Sequence, residues 1–153
     1  MNNRWWGAGL FGIVMSVSGA QAAPSQDTQA HAYDEGFSLP SGRLQCAFSL
    51  DGELQGRPAV RCEVLNASYK APPRPTDCPL AWGDALEVES SGKAQFLCHG
   101  DTVMNPPGQR AILAYGQTWK RSGITCSSST AGVRCLNADG HGFELARARY
   151  RTF

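Results

Sequence analysis

Apolar and polar residues alternate with a period of two along much of the chain after residue 36. Alternation of this kind is typical of β-strands that bury one face. Three runs show it: Leu44, Cys46, Phe48 and Leu50; Val60, Cys62 and Val64; Leu86 and Val88. No apolar stripe of helical period is long enough to predict a helix, and only residues 79–82 suggest a short helical turn. The pattern predicts an all-β protein.

Turn-forming residues separate the predicted strands. Four dipeptides are of the types that hairpin tips favour: Asp51-Gly52, Ser91-Gly92, Ala131-Gly132 and Asp139-Gly140. The proline-rich residues 72–75 and 106–108 are expected to be rigid connections, because proline lacks the amide donor that a sheet requires. The sequence therefore predicts a small antiparallel β-sandwich or open barrel of about six to nine short strands.

The cysteines share the parity of the predicted buried residues. There are six: Cys46, Cys62, Cys78, Cys98, Cys126 and Cys135. An even number favours complete pairing in an oxidising compartment. A Ser-Gly before a cysteine strand and a returning Val-Arg-Cys occur twice, in residues 41–62 and again in 122–135. This repetition predicts hairpins tied by disulfides and favours the sequential pairing: Cys46–Cys62, Cys78–Cys98 and Cys126–Cys135.

The first residues have the pattern of an export signal. Arg4 precedes a short apolar run, and small residues at Ala20 and Ala22 fit cleavage after Ala22. We therefore predict a signal peptide over residues 1–22, a flexible polar leader over 23–36 and a single disulfide-bonded β domain over 37–153. The expected location is secreted or periplasmic, and no transmembrane segment is predicted after signal removal.

Charge narrows the range of partners. Loss of Arg4 with the signal leaves 13 basic residues against 13 acidic ones. A neutral chain argues against a nucleic-acid partner held by bulk charge, although a local patch is compatible with it. The chain lacks a phosphate-binding loop, a dinucleotide fingerprint, His-Glu-x-x-His and Cys-x-x-Cys, so we predict no cofactor and no metal.

His99, Asp101 and His141 are the candidates for catalysis. Imidazoles and a carboxylate that converge in one pocket can bind a metal or transfer protons near neutral pH. Each histidine adjoins a glycine and a predicted strand end. The favoured interpretation is structural: His99 faces solvent or bonds a turn, and Asp101-Thr102 caps a loop through side-chain bonds to the backbone.

Two further groups are candidates for ligand binding. Arg147, Arg149 and Arg151 are spaced by two, which on a strand would place three guanidinium groups on one face, suited to carboxylates or phosphates. The alternative is an edge strand whose charges prevent aggregation. Exposed aromatic residues stack on sugars, but in a small β domain they more often fill the core; the candidates are Trp82, Tyr115, Trp119 and Tyr150.

An ordered set of short motifs spans residues 37–153: Phe-Ser-Leu-Pro-Ser-Gly at 37–42, Val-Arg-Cys at 60–62, Trp-Gly at 82–83, Cys-His-Gly-Asp-Thr at 98–102, Leu-Ala-Tyr-Gly at 113–116, Val-Arg-Cys at 133–135 and Gly-His-Gly-Phe at 140–143. This set resembles a family of small secreted bacterial domains, frequent in actinobacteria, of unknown function. The resemblance implies export and one cysteine-paired domain, and it implies no activity. Such domains usually have serine where this chain has Ala146.

A rigid scaffold without a nucleophile–base signature favours a non-enzymatic module that binds an envelope or extracellular protein or glycan. Two alternatives stay open. One is a small secreted hydrolase or metal-dependent enzyme that uses His99, Asp101 and His141. The other is a periplasmic inhibitor or immunity factor, with residues 72–75 or 105–108 as a protruding loop.

Overall fold

The computed structural model describes residues 36–153. The predicted signal peptide and residues 23–35 of the predicted leader lie outside the described residues, and Gly36 already belongs to the first strand. Ten strands follow: β1 Gly36–Ser38, β2 Leu44–Ser49, β3 Ala59–Val64, β4 Ala81–Glu89, β5 Gln95–His99, β6 Thr118–Arg121, β7 Ile124–Ser129, β8 Gly132–Leu136, β9 Gly142–Ala146 and β10 Arg149–Thr152.

The strands form two antiparallel sheets of five, each a meander in which consecutive strands are neighbours. Sheet A contains β1 to β5 and sheet B contains β6 to β10. Their apolar faces pack on each other, so the all-β prediction is confirmed, and the architecture is a sandwich rather than a closed barrel. Residues 36–153 contain no helix long and apolar enough to cross a bilayer.

Two details differ from the sequence prediction. Residues 79–82 form no helical turn, because β4 begins at Ala81 and Trp82 pairs with Cys98 of β5. Packing of the Trp82 ring on Phe96, with centroids 5.7 Å apart, favours the extended conformation. There are also more strands than about six to nine, since β1, β6 and β10 are too short for alternation to reveal.

One hydrophobic core fills the space between the sheets. Phe37 and Phe143 are the largest fully buried side chains, and Trp119 packs on Phe37 with ring centroids 5.7 Å apart. Inward residues alternate with outward ones along β7 and β8, where Ile124, Cys126 and Val133 are buried. Burial of alternate residues is the physical basis of the period-two pattern.

The three disulfides join the sequential pairs Cys46–Cys62, Cys78–Cys98 and Cys126–Cys135. The first ties β2 to β3 and the third ties β7 to β8, each between directly paired residues. These two bridges face each other across the core, with the Cys62 and Cys135 Sγ atoms 4.0 Å apart. The bridges therefore reinforce the centre of both sheets.

The repeated Val-Arg-Cys motif extends to strand register. In sheet A, Arg61 of β3 pairs with Glu87 of β4. In sheet B, Arg134 of β8 pairs with Glu144 of β9. The residue after each arginine is the disulfide cysteine, and in both sheets the motif lies on the third strand. The second meander therefore repeats the first in topology, register and cross-link.

Candidate functional site

Carboxylates on the outer face of sheet A are buried under a loop, residues 50–58. Glu87 and Glu89 are 2% and 1% exposed. One Glu87 oxygen accepts the backbone N–H groups of Glu53 and Leu54, at 2.8 and 3.2 Å, and Glu89 forms an ion pair with Arg57. Burial raises the pKa of the Glu87 carboxyl, although the two N–H groups oppose that rise. These carboxylates hold the β2–β3 loop on the sheet.

A second set of buried polar groups fixes the segment after β5. The Glu63 carboxylate accepts hydrogen bonds from Arg61, from the Thr102 hydroxyl and from the Val103 N–H. The Gln45 amide both donates to the Asn105 carbonyl and accepts the Asn105 N–H, each at 2.9 Å. Because Glu63 and Gln45 each have hydrogen-bond partners in the 102–105 segment, that segment has a defined position.

His99 is buried, and both of its ring nitrogens are hydrogen-bonded. Nδ1 lies 2.7 Å from the Asp101 carbonyl oxygen, and Nε2 lies 3.1 Å from the Asp84 carboxylate. Both partners are acceptors, so only the imidazolium form donates to both. Burial lowers the pKa of His99, but the two hydrogen bonds together with the charge of Asp84 outweigh burial, and the pKa is raised above its ordinary value. His99 thus acts as a cross-link within the fold.

Asp101 contacts the imidazole only through its backbone carbonyl, and its side chain contacts Arg61 instead. Its carboxylate lies 2.9 Å from the guanidinium, and the hydrogen bond from Arg61 lowers the pKa of the Asp101 carboxyl. His141 lies at the opposite end of β4, since its N–H donates to Asn137, which in turn donates to the Glu89 carbonyl. Five residues of strand, roughly 16 Å, separate Asp84 from Glu89. The structure therefore does not bring the three catalytic candidates into one cleft.

Metal-binding groups do not converge elsewhere in the described chain. Within residues 36–153, the one close grouping of three potential ligands is Cys46, Cys62 and Cys135. All three sulfurs already belong to disulfides. Disulfide sulfur is not the thiolate that metal ions require.

The aromatic candidates do not share one environment, although Trp82 and Tyr150 both pack on the Phe96 ring, with centroids 5.7 and 4.8 Å apart. Trp119 is 5% exposed and belongs to the core. The Trp82 indole N–H donates to the Pro72 carbonyl, and Tyr150 packs on Tyr69 with ring centroids 5.0 Å apart. Tyr115 is 43% exposed and is the one member of the group on an open surface. These four aromatic residues therefore do not form a shared platform.

The three arginine candidates divide between two surfaces. Arg149 and Arg151 lie on the same face of β10, the edge strand of sheet B. Arg151 forms an ion pair with Glu144 at 2.8 Å. Arg147 instead lies in the turn between β9 and β10 and lines a different depression, together with Tyr115. The β9–β10 turn therefore prevents Arg147 from sharing a strand face with Arg149 and Arg151.

One end of the sandwich carries a groove of about 600 Å³. Its lining is mainly apolar and includes Leu65, Met104, Pro106 and Ile112. The floor at Leu39 continues into a second depression of about 210 Å³, which is lined by Tyr115, Arg43 and Arg147. We call the groove and the depression together the end surface. Three of the five strongly exposed large apolar residues in the described chain lie on it: Leu65, Ile112 and Tyr115.

Of this surface, sequence patterns identified Tyr115 and Arg147 as ligand-binding candidates and residues 105–108 as a candidate protruding loop. Leu65, Ile112 and Arg43 carry no motif, and an apolar residue beside a strand normally suggests burial. Arg43 precedes β2, Leu65 follows β3 and Ile112 bridges Ser38 of β1, so the three meet at one end of sheet A. The Pro106-Pro107-Gly108 segment, predicted as a rigid connection, supplies one wall of the groove.

Comparison with known proteins gives a family and no relative of established activity. No curated protein and no solved structure matches the chain. A family model described as a family of unknown function matches residues 9–153. That match includes every described strand and all six cysteines, and the chain belongs to this family of unknown function, DUF6636.

Proposed function

We propose that the chain is an exported binding domain whose end surface binds an extended segment of an extracellular or envelope protein. The clustering of three exposed large apolar side chains around two contiguous depressions carries this proposal. Exposed apolar side chains are common singly, but a cluster within a groove is typical of a binding site.

The chemistry of the end surface specifies the segment that would bind. The groove favours apolar side chains, because its lining includes Leu65, Met104 and Ile112. Arg43 and Arg147, in the adjoining depression, have no ion-pair partner within residues 36–153. Guanidinium groups recognise carboxylates through paired hydrogen bonds. The best ligand is therefore a peptide with apolar residues next to an aspartate, a glutamate or a free C-terminus.

Pre-organisation supports the same proposal. The 104–106 wall of the groove follows directly from the segment that Gln45 and Glu63 hold, and Arg110 donates to the Cys46 and Val103 carbonyls. A wall that is fixed before binding loses less conformational entropy when a ligand arrives. The buried polar groups near the groove thereby contribute to binding by holding its wall in place.

Panning of a random-peptide library on the immobilised, oxidised mature domain tests the proposal. We expect enriched peptides that combine apolar residues with aspartate or glutamate. The Leu65→Ser/Ile112→Ser variant should bind them about tenfold or more weakly, since two apolar contacts are lost. Arg43→Gln/Arg147→Gln should weaken only the acidic peptides.

The chain offers a matched control. Leu50 and Leu80 are also strongly exposed but lie off the end surface. Leu50→Ser/Leu80→Ser should therefore leave peptide affinity unchanged. Equal losses of peptide affinity in the control and end-surface variants would contradict the proposal. It would also be contradicted if none of the four end-surface substitutions changed the affinity for the enriched peptides.

Export is tested separately. N-terminal sequencing of the protein recovered from the producing cells should find Ala23 as the first residue, in the extracellular or periplasmic fraction. Recovery only from the cytoplasm, with Met1 retained, would contradict export and leave the peptide-binding test unaffected.

A further inference from the structure

The two meanders share a register but differ in what covers their outer faces. In sheet A, the outward pair Arg61 and Glu87 is 6% and 2% exposed. In sheet B, the side chains of the equivalent pair, Arg134 and Glu144, are 43% and 32% exposed. Equivalent residues on equivalent strands therefore occupy opposite environments.

Polypeptide segments account for the burial in sheet A. Glu53 and Asp101 place carboxylates on Arg61, at 2.8 and 2.9 Å. Glu87 accepts backbone N–H groups from Glu53 and Leu54. The covering segments thus satisfy the arginine with carboxylates and the glutamate with backbone donors.

Sheet B has no covering loop of this kind among the described residues; only the Phe153 ring lies against its arginines, with the ring centroid 4.7 Å from the Cζ atom of Arg134 and 5.3 Å from that of Arg151. The turn between β7 and β8 consists of residues 130 and 131 alone, whereas residues 50–58 connect β2 to β3. Arg134 and Arg149 line an open depression of about 220 Å³ together with Ser127, Ser129 and Glu144. Arg151 extends the positive charge along β10, with 62% of its side chain exposed. We call Arg134, Glu144, Arg149 and Arg151 the basic face.

Charge is unevenly divided between the halves of this near-neutral chain. Residues 118–153 contain six basic residues and two acidic ones, in the order Lys120, Arg121, Arg134, Asp139, Glu144, Arg147, Arg149 and Arg151. The second meander therefore has a net positive charge, although the net charge of the whole chain is near zero. A surface with this local excess attracts acidic partners.

We propose that the basic face of sheet B is a second interaction surface, which binds an acidic polypeptide segment of a partner protein. The segment takes the position over Arg134 that the Glu53 and Asp101 segments take over Arg61. Its carboxylates contact Arg134, Arg149 and Arg151, and its backbone N–H groups donate to Glu144 as those of Glu53 and Leu54 donate to Glu87. The backbone donors distinguish a polypeptide from a phosphate polymer, which offers acceptors only. This surface adjoins the end surface, since the two depressions share Ser129 and Gly132, but it uses different arginines and its test does not depend on the end surface.

Titration of the oxidised mature chain with a decaglutamate peptide at low salt tests the proposal, with inorganic polyphosphate as the comparison ligand. Amide resonances of β8, β9 and β10 should shift on addition of the peptide. The variant Arg134→Gln/Arg149→Gln/Arg151→Gln should bind the peptide about tenfold more weakly, because three charge contacts are lost. The control Lys70→Gln/Arg74→Gln/Lys93→Gln removes the same charge from the first meander and should leave affinity within about twofold.

Substitution of Glu144 separates the two ligand classes. Removal of its negative charge increases the attraction of the face for any anion, so Glu144→Gln should bind polyphosphate more tightly. The same variant should bind decaglutamate more weakly, because the acceptor for backbone N–H groups is poorer. Tighter binding of both ligands would overturn the proposal in favour of a simple anion surface.

The acidic leader is the other potential occupant. It contains Asp27, Asp34 and Glu35 and no lysine or arginine. The variant Asp27→Asn/Asp34→Asn/Glu35→Gln should leave decaglutamate affinity unchanged. An increase would assign the basic face to this chain's own leader and overturn the proposal. Absence of resonance shifts in β8 to β10 would overturn it as well.

Discussion

Replacement of Arg61 by glutamine, compared with replacement of Arg134 by glutamine, tests the difference between the two sheets directly. The two arginines occupy equivalent register positions beside equivalent disulfide cysteines. Arg61 is 6% exposed and contacts the Glu63 carboxylate, which is itself 2% exposed. The Arg134 side chain is 43% exposed, and its ion pair with Glu144 is long, at 3.5 Å.

The magnitudes follow from burial. Removal of one partner of a buried ion pair leaves an uncompensated charge and costs about 3–5 kcal/mol of unfolding free energy. Loss of an exposed pair costs about 0–1 kcal/mol, because water screens both charges. Arg61→Gln should therefore destabilise the domain by about 3 kcal/mol or more, and Arg134→Gln by less than about 1 kcal/mol.

Urea unfolding of the oxidised domain, followed by tryptophan fluorescence, measures both values. With a slope of about 1.5 kcal/mol per molar urea, Arg61→Gln should lower the midpoint by roughly 2–3 M. The double variant Arg61→Gln/Glu63→Gln should recover part of the loss, since no unpaired charge then remains buried. Equal midpoints for Arg61→Gln and Arg134→Gln would show that the outer face of sheet A is not covered as described.

Three further predictions concern the buried polar groups and the cross-links. Because the folded-state pKa of His99 is raised, the contribution of its protonated form to stability is full below about pH 6.5 and is lost as the pH rises through the folded-state pKa. The variant Asp84→Asn should therefore lose more stability at about pH 5.5 than at about pH 8.5. An equal loss at both pH values would contradict the hydrogen bond assigned between His99 and Asp84. Glu87→Ala should lower the free energy of unfolding by about 1–3 kcal/mol, because it removes the acceptor for two backbone N–H groups. Glu87→Gln should lower it less, since glutamine resembles the protonated carboxyl that the raised pKa favours. Thermal unfolding measures both values. Cys126→Ala/Cys135→Ala opens a loop with a sequence separation of 9 and should cost about 2–3 kcal/mol in urea unfolding; an unchanged midpoint would argue that this bridge is not formed.

Strands and cross-links could be predicted from the sequence because neighbouring residues encode them. Alternation of apolar and polar residues follows from the pleat of a single strand, so Val60, Cys62 and Val64 reveal their shared face without knowledge of the fold. The repeated Ser-Gly and Val-Arg-Cys strings likewise mark two hairpins, and the disulfides join those hairpins as predicted. Strands of three or four residues carry too few positions for the same inference.

The candidate site was less accessible to sequence reasoning. Alternation places Arg61 and Glu63 opposite to Cys62, which normally means exposure to solvent, yet both are buried. Their burial depends on segments about 40 residues away in the chain that fold over the sheet. The histidines show that similar local motifs do not indicate proximity in the fold. His99 and His141 each adjoin a glycine but lie at opposite ends of β4.

Local residue patterns are enough to show that this protein is built from extended segments, where those segments turn and which cysteines join them, because periodicity and turn chemistry act over a few residues. Which outward residues are covered, and where exposed apolar residues gather, depends on the folded arrangement of the whole domain. Those properties arise from the stacking of the two sheets and the path of the long loops. The arginine of the repeated Val-Arg-Cys motif is therefore buried at position 61, whereas at position 134 it belongs to an open surface.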